Sequence, residues 1–245
     1  MAKRRLDQLL VDRGLAESRE KARAAVLAGN VRVAGVAVPK PGLLVPEDAE
    51  VEVVRPPRYV SRGGEKLEHA LRVFRLDVRD RVAADIGAST GGFTDCLLQA
   101  GARRVYAVDV GYGQLDYRLR QDPRVVVLER TNARYLERLP EPVDVATVDV
   151  SFISVEKVLP AVRRLLRPGG DVVVLVKPQF EAGREEVGRT GVVRDPLVHA
   201  GVIGRVAVWA LDHGFRYRGL TTSPILGAEG NREFLLWLAK EGEDG

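Results

Sequence analysis

From about residue 80, short apolar runs rich in β-branched residues alternate with helical patterns, and this alternation restricts the fold more than any other feature of the chain. The runs cover residues 82–86, 105–108, 125–128, 143–150 and 171–176. Strands separated by helices cross over to lie parallel, so the predicted fold class is α/β with a doubly wound, Rossmann-like parallel sheet. In such sheets a ligand sits beyond the carboxyl ends of the strands, where the chain reverses its order. The residues that follow each run are therefore the ones to read for chemistry.

The front of the chain follows a different pattern. Leu6, Leu9 and Leu10 share one helical face, and Gly14 can end that helix in a left-handed conformation. Ser18 can cap a second helix, in which Ala22, Ala25 and Val26 form a small apolar face and Arg19 and Arg23 share a polar one. Gly29 ends it. Val31, Val33, Val36 and Val38 then alternate around Ala34-Gly35 as a hairpin, and a strand over 49–54 follows before Pro56-Pro57. A positive φ is less comfortable at Ala34 than at the Asn or Asp that usually precedes such a turn glycine, so a departure at the hairpin tip is expected. At 245 residues there is room for two domains, placed at 1–55 and 61–245 with a linker over 56–60.

The net charge is +4, and residues 1–40 alone hold nine Lys/Arg against four Asp/Glu. The positive excess therefore sits at the front, which suits a polyanionic partner. The longest apolar runs are far shorter than the roughly 18 residues of a membrane span, and residues 1–6 lead into no signal-like apolar stretch. A cytoplasmic protein with no membrane partner is expected. Cys96 is the single cysteine, and His69, His199 and His213 lack metal-ligand spacing, so no metal is expected.

After the first run comes Asp85-Ile86-Gly87-Ala88-Ser89-Thr90-Gly91-Gly92-Phe93-Thr94-Asp95, a glycine turn opening into a helix. Asp109 ends the second run, where a carboxylate can accept hydrogen bonds from a ribose diol. The dinucleotide fingerprint would place glycine where Ser89 stands, which disfavours a pyrophosphate cradle and leaves a nucleoside crevice. Asp149 ends the fourth run and Lys177 the fifth, so both are predicted at the crevice mouth, close enough to pair. Arg outnumbers Lys thirty-one to seven, so a chain needing only an ion pair would be expected to use Arg there. Lysine is the cation that burial and a neighbouring charge can bring to neutral form. Lys66 opens the helix carrying Leu67, Ala70, Leu71 and Phe74, and Glu233 begins the last strand.

Several of these stretches resemble known families. Arg5-Leu6-Asp7, Gly14-Leu15, Ser18-Arg19, Ala22, Gly29, Val31, Val33, Gly35 and Lys40-Pro41-Gly42 resemble the alpha-L RNA-binding domain of the ribosomal-protein-S-four type. That resemblance implies RNA contacts from Arg4, Arg5, Arg19, Lys21 and Arg23, with Arg62 beside the crevice. Asp85-x-Gly87-x-x-x-Gly91 resembles the first motif of class I S-adenosylmethionine-dependent methyltransferases. It implies S-adenosylmethionine as cofactor, held by Asp85, Gly87, Ala88, Ser89, Thr90, Gly91, Gly92, Phe93, Asp109, Asn132 and Asp149.

With Ser61-Arg62-Gly63-Gly64-x-Lys66-Leu67, Val148 to Ser154, Val176 to Glu181 and Gly230-Asn231-x-Glu233-Phe234, nearly the whole chain resembles the TlyA family, often labelled hemolysin. That family joins an alpha-L domain to an FtsJ-like methyltransferase domain and methylates cytidine riboses of ribosomal RNA at the 2′-oxygen, in the small or in both subunits. Its Lys-Asp-Lys-Glu tetrad maps onto Lys66, Asp149, Lys177 and Glu233. Lys177 would be the base or alkoxide stabiliser, Lys66 would favour its working form and position the ribose, and the carboxylates would orient both amines. Two rival expectations are a non-catalytic ribosome-assembly scaffold, which the intact lysines disfavour, and a membrane-active hemolysin, which the lack of a long apolar or amphipathic helix disfavours. A base methyltransferase would commonly carry Asn/Asp-Pro-Pro-aromatic where this chain has Asp149-Val150-Ser151-Phe152.

Overall fold

The computed structural model describes residues 2–54, 57–183, 185–188 and 190–242. Pro56 of the expected linker lies outside them. The chain forms two compact units, Met1–Arg58 and Tyr59–Gly245. Tyr59 is buried, and the Val60 N–H donates to Asp95 Oδ2 at 2.9 Å, so these two residues of the expected linker are packed into the larger unit.

The smaller unit runs β1 (Lys3–Arg5), α1 (Leu6–Asp12), α2 (Arg19–Leu27), β2 (Val31–Val33), β3 (Val36–Ala37), β4 (Leu44–Pro46) and β5 (Val51–Val53). Gly14, at φ 68°, turns the chain after α1, and the Ser18 hydroxyl accepts from Lys21 N–H at 3.2 Å to cap α2. A three-stranded sheet, β3-β2-β5, and a two-stranded one, β1-β4, close over Leu6, Leu9, Leu10, Ala22, Val26, Val31 and Val45. Asp7 is fully buried beside this core, held by Arg5 at 3.0 Å and Arg19 at 3.2 Å. The Arg5 hydrogen bond outweighs burial and brings its carboxyl down to about 2.

The hairpin tip does not depart from a two-residue turn: Val33 faces Val36, with Ala34 at φ 50° and Gly35 at φ 77°. Ala34 bears the strain itself, at a cost of about 1 kcal/mol.

The larger unit runs α3 (Gly63–Phe74), β6 (Val82–Ile86), α4 (Gly92–Gln99), β7 (Arg104–Val108), α5 (Tyr117–Gln121), β8 (Val125–Leu128), β9 (Val143–Val148), α6 (Leu159–Leu165), β10 (Leu166–Val176), α7 (Pro178–Glu181), α8 (Pro196–Asp212), β11 (Phe215–Thr222) and β12 (Phe234–Lys240). Its seven strands lie in the order β11-β12-β10-β9-β6-β7-β8. The five expected strands are parallel, but the sheet is mixed: β12 runs antiparallel to β10, and β11 antiparallel to β12. A helix crossover makes neighbours parallel, whereas β11 and β12 follow one another through a loop and pair as a hairpin.

Alternate residues of the central strands serve opposite faces. Ala84, Ile86, Val172, Val174 and Val176 pack under α6 and α8, while Ala83, Val173 and Leu175 pack under α3 and α4 with Leu67, Phe93 and Cys96. The chain leaves β6 toward β7 and β8 and returns to β9 on the other side of β6. The switch point is therefore at the ends of β6 and β9, immediately before Gly87 and Asp149.

Replacing Ala34 by Asn, which tolerates the left-handed region, is expected to stabilise the smaller unit by roughly 0.5–1 kcal/mol. Denaturant unfolding of the two proteins side by side measures it; an unchanged or lower midpoint would show that Ala34 carries no such strain.

Candidate active site

Gly87 follows β6 at φ 84°, and a Cβ there would lie 2.2 Å from the Asp149 carbonyl oxygen. Only glycine lets the two strand ends approach this closely. Gly92, the first residue of α4, is constrained likewise, since a Cβ would meet Ser61 Oγ at 2.2 Å. These contacts draw the ends of β6 and β9 and the starts of α3 and α4 around a common space.

Two cavities open there. One, of about 480 Å³, is lined by Lys66, Asp149, Lys177 and Glu233, together with Arg62, Gln179 and Phe180. The other, of about 410 Å³, is lined by Asp109, Asn132 and Asp149 and by apolar Ile86, Val108, Val110 and Val158. Gly87, Ser89, Asp149, Ser151 and Phe152 belong to both walls.

The four ionisable residues form two pairs. Lys177 Nζ lies 2.6 Å from Asp149 Oδ1, off the hydrogen-bond axis, and donates to Ser151 Oγ at 2.9 Å. Lys66 pairs with Glu233, and both are buried. Burying either charge alone would cost several kcal/mol, so each amine is kept in the cavity wall by its own carboxylate.

The segments carrying the first pair are cross-linked further along. The rings of Phe152 and Phe180 are 5.0 Å apart, and Val155 N–H donates to Glu181 Oε1 at 2.8 Å. Burial pushes the Glu181 carboxyl up, against the hydrogen bonds from Val155 and Ser154. The residues after β9 and after β10 are thus joined at three successive rungs.

In the second cavity, Asp109 Oδ2 accepts from Ser89 N–H at 2.8 Å and Oδ1 from Gly111 N–H at 2.6 Å. Each oxygen keeps a second lone pair, the acceptor geometry that a ribose diol needs. Asn132 Oδ1 accepts from Arg134 N–H at 3.1 Å, leaving its amide hydrogens as donors.

The remaining expected positions divide. Ala88, Thr90, Gly92 and Phe93 line the cavity of the two ion pairs and not the one at Asp109. Asp85 and Gly91 line neither cavity. Gly91 packs on Leu115 and Leu119 at φ 95°. Asp85 is fully buried behind the turn, accepting from Thr94 at 2.7 Å and Thr147 at 2.9 Å, so it ties β6 to α4 and β9.

The expected RNA contacts also divide. Arg4 pairs with Asp12 and Glu47, Lys21 with Glu17, and Arg5 and Arg19 with Asp7, whereas among the described residues Arg23 has no ion-pair partner. Residues not singled out from the sequence include Ser151, Phe152, Gln179 and Glu181, although all four stand inside the motif stretches that carried the resemblance. No helix is long and apolar enough to cross a membrane, and no metal-binding cluster occurs among the described residues.

The FtsJ-like methyltransferase model matches residues 59–240, and the S4 domain model matches residues 4–51. The chain is 48% identical over 243 residues to the 16S/23S rRNA (cytidine-2′-O)-methyltransferase TlyA of Mycobacterium tuberculosis, covering 97% of this chain and 91% of that protein. The chain belongs to the TlyA family of FtsJ-like methyltransferases. Another relative, named as an rRNA methyltransferase, YqxC of Bacillus subtilis, is 55% identical over 248 residues, covering 98% of this chain and 87% of YqxC. The solved structure of a hemolysin-named protein of Streptococcus thermophilus shares 49% identity with a TM-score of 0.75, covering 98% of this chain and 90% of that one. The chain is thus a methyltransferase in which an S4 domain precedes the methyltransferase fold.

Burial pushes the Asp85 carboxyl up to about 6, against the hydrogen bonds from Thr94 and Thr147 and with the Asp149 charge adding to the rise. The folded state therefore holds more protons than the unfolded state between about pH 4 and pH 6, and stability falls as pH rises through that window. Asp85→Asn removes the titration. The stability of the wild-type protein relative to this variant is expected to decline from about pH 4 to 6 and to be flat above, measured by denaturant unfolding at each pH. A difference independent of pH would show that burial does not raise the Asp85 carboxyl above its unfolded value.

Proposed function

We propose that this TlyA-family protein transfers a methyl group from S-adenosylmethionine to the 2′-oxygen of a cytidine in ribosomal RNA, on one or both ribosomal subunits. The observation that carries this reading is the Lys177 amine on the wall of the first cavity, 2.6 Å from Asp149 and 2.9 Å from Ser151, two residues that line both cavities. Such a site can hold a nucleoside on one side and a hydroxyl nucleophile on the other.

The residues present fit the cofactor. Asp109 has acceptor capacity for a ribose diol, the apolar wall of Ile86, Val108 and Val158 suits an adenine, and Gly87 presents bare backbone. Asn132 completes that wall. When bound, S-adenosylmethionine supplies an electrophilic methyl group on a sulfonium.

The chain's part is to hold and discharge the nucleophile. Lys177 donates to the ribose oxygen and stabilises negative charge as it develops, while Asp149 keeps the amine in place. Transfer would exchange the methyl–sulfur bond of the sulfonium for a methyl–oxygen bond and leave the neutral thioether S-adenosylhomocysteine. The hydroxyl hydrogen, made strongly acidic, passes to Asp149 and then to solvent. Lys66, balanced by Glu233, presents a second donor that positions the ribose. The two carboxylates cancel both ammonium charges, so the site does not repel a cationic cofactor.

The smaller unit supplies RNA affinity through Arg4, Arg5, Arg19, Lys21 and Arg23, and Arg62 adds a cation at the cavity. Phosphate neutralisation of this kind is salt-dependent and reads little sequence, which suits docking. A ribosomal RNA substrate places the protein in the cytoplasm.

Incubation with radiolabelled S-adenosylmethionine and separately purified small and large subunits from a strain lacking the protein tests the reading. Label is expected in RNA as an alkali-resistant dinucleotide containing 2′-O-methylcytidine. Lys177→Ala is expected to lower the rate by about 10²–10⁴-fold while cofactor affinity, measured by calorimetry, is kept. Cofactor binding without transfer to either subunit would favour the assembly-scaffold reading instead.

A further inference from the structure

Two oxygens compete for the Lys177 amine. Nζ lies 2.6 Å from Asp149 Oδ1, which is buried away from water and accepts no hydrogen bond among the described residues. A buried carboxylate oxygen in that state draws the ammonium to itself, since a small turn of the amine would place an N–H on its lone pair. The hydrogen bond that the amine makes among the described residues goes instead to Ser151 Oγ, at 2.9 Å. The Phe180 ring, 5.9 Å from Nζ, attracts the charge but gives an N–H no oxygen to point at. Ser151 is itself held from both sides. Two residues before it, Asp149 N–H donates to the Ile86 carbonyl at 2.9 Å, and immediately after it Phe152 takes a left-handed φ of 65°, with its ring 5.0 Å from that of Phe180. Bulky residues seldom adopt that conformation, and such strain collects where geometry serves a function.

We infer that Ser151 is a positioning residue for methyl transfer: its hydroxyl holds the Lys177 amine off Asp149 and sets it where the ribose 2′-oxygen meets it. The inference rests on the ribose-methylation reading of the site. An ammonium carries three hydrogens, and a hydroxyl oxygen accepts one of them without carrying a charge that would cancel the amine's. With that hydrogen fixed on Ser151, rotation about the Cε–Nζ bond is stopped and another hydrogen is left for the ribose oxygen. Without the hydroxyl, the amine settles on Asp149 Oδ1 and leaves the place where charge develops on the nucleophile. A misplacement of about 1 Å is enough to cost about 10²-fold in rate. Ser151 acts through Lys177 in this account, and the methyl-transfer groups remain Lys177 and Asp149.

The test uses the full-length protein, ribosomal subunits and radiolabelled S-adenosylmethionine. We compare kcat and KM for the wild-type protein, Ser151→Ala, Ser151→Thr, Lys177→Ala and the Ser151→Ala/Lys177→Ala double variant, with calorimetric titration of the cofactor for each. Ser151→Ala is expected to lower kcat by about 10–100-fold while KM for the subunits and cofactor affinity are kept. Ser151→Thr, which retains the hydroxyl, is expected to recover most of that loss. In the Lys177→Ala background, Ser151→Ala is expected to cost nothing further, because the amine it directs is gone. An unchanged kcat, a loss confined to KM or to cofactor affinity, a Ser151→Thr protein as slow as Ser151→Ala, or the same fold-loss in the Lys177→Ala background would each overturn the role of Ser151 and leave ribose methylation standing. No ribose-methyl label from the wild-type protein on either subunit would overturn the ribose-methylation reading, and the role of Ser151 with it.

Discussion

The contact between Gly87 and the Asp149 carbonyl is the constraint on which the site depends. A Cβ at residue 87 would lie 2.2 Å from that oxygen, well inside any tolerable approach. Because no side chain intervenes, the ends of β6 and β9 converge at the point where the strand order reverses. One carboxylate, Asp149, can then belong to both cavities. Separated by a side chain, the two spaces would no longer meet across Asp149, and a methyl donor in one could not face a hydroxyl in the other.

The charges around that junction follow from burial. Two lysines in a partly enclosed wall repel each other and lose hydration, which two carboxylates offset pair by pair. Lys66 and Glu233 come from opposite ends of the larger unit's sequence, the start of α3 and the residue before β12. The antiparallel placement of β12 beside β10 brings Glu233 into the wall, since the start of β12 lies against the end of β10: Phe234 faces Val176 in register. The mixed edge of the sheet is therefore part of how the site is assembled. Asp85 supports the same junction from behind, joining β6 to α4 and β9 through two threonine hydroxyls.

Much of this was legible in the residues. β-branched runs announce buried parallel strands, and Gly87, Asp109, Asp149 and Lys177 each stand just beyond one, where chemistry collects in such sheets. The pairing of Asp149 with Lys177 could be anticipated because their strands were expected to be adjacent. The partner of Lys66 could not, since Lys66 and Glu233 are 167 residues apart and only the antiparallel return unites them. β11 escaped notice because its pattern, Phe215-Arg216-Tyr217-Arg218-Gly219-Leu220, mixes exposed cations and aromatics as an edge strand does. Motif position alone also gave no sign that Asp85 is buried between two threonine hydroxyls, because it does not distinguish a carboxylate facing a crevice from one facing the core. In the smaller unit, counting cations overstated their freedom: Arg5 and Arg19 already clamp the buried Asp7.

The central claim is that the bare backbone at residue 87 joins a nucleoside cavity to a ribose cavity. Gly87→Ala addresses it directly, with calorimetric titration of S-adenosylmethionine beside methyl transfer to ribosomal subunits, and circular dichroism to confirm the fold. The account predicts a folded protein in which cofactor affinity and transfer both collapse, because the added methyl group forces the strand ends apart. A folded Gly87→Ala protein that binds the cofactor and transfers methyl groups as the wild-type protein does would contradict it.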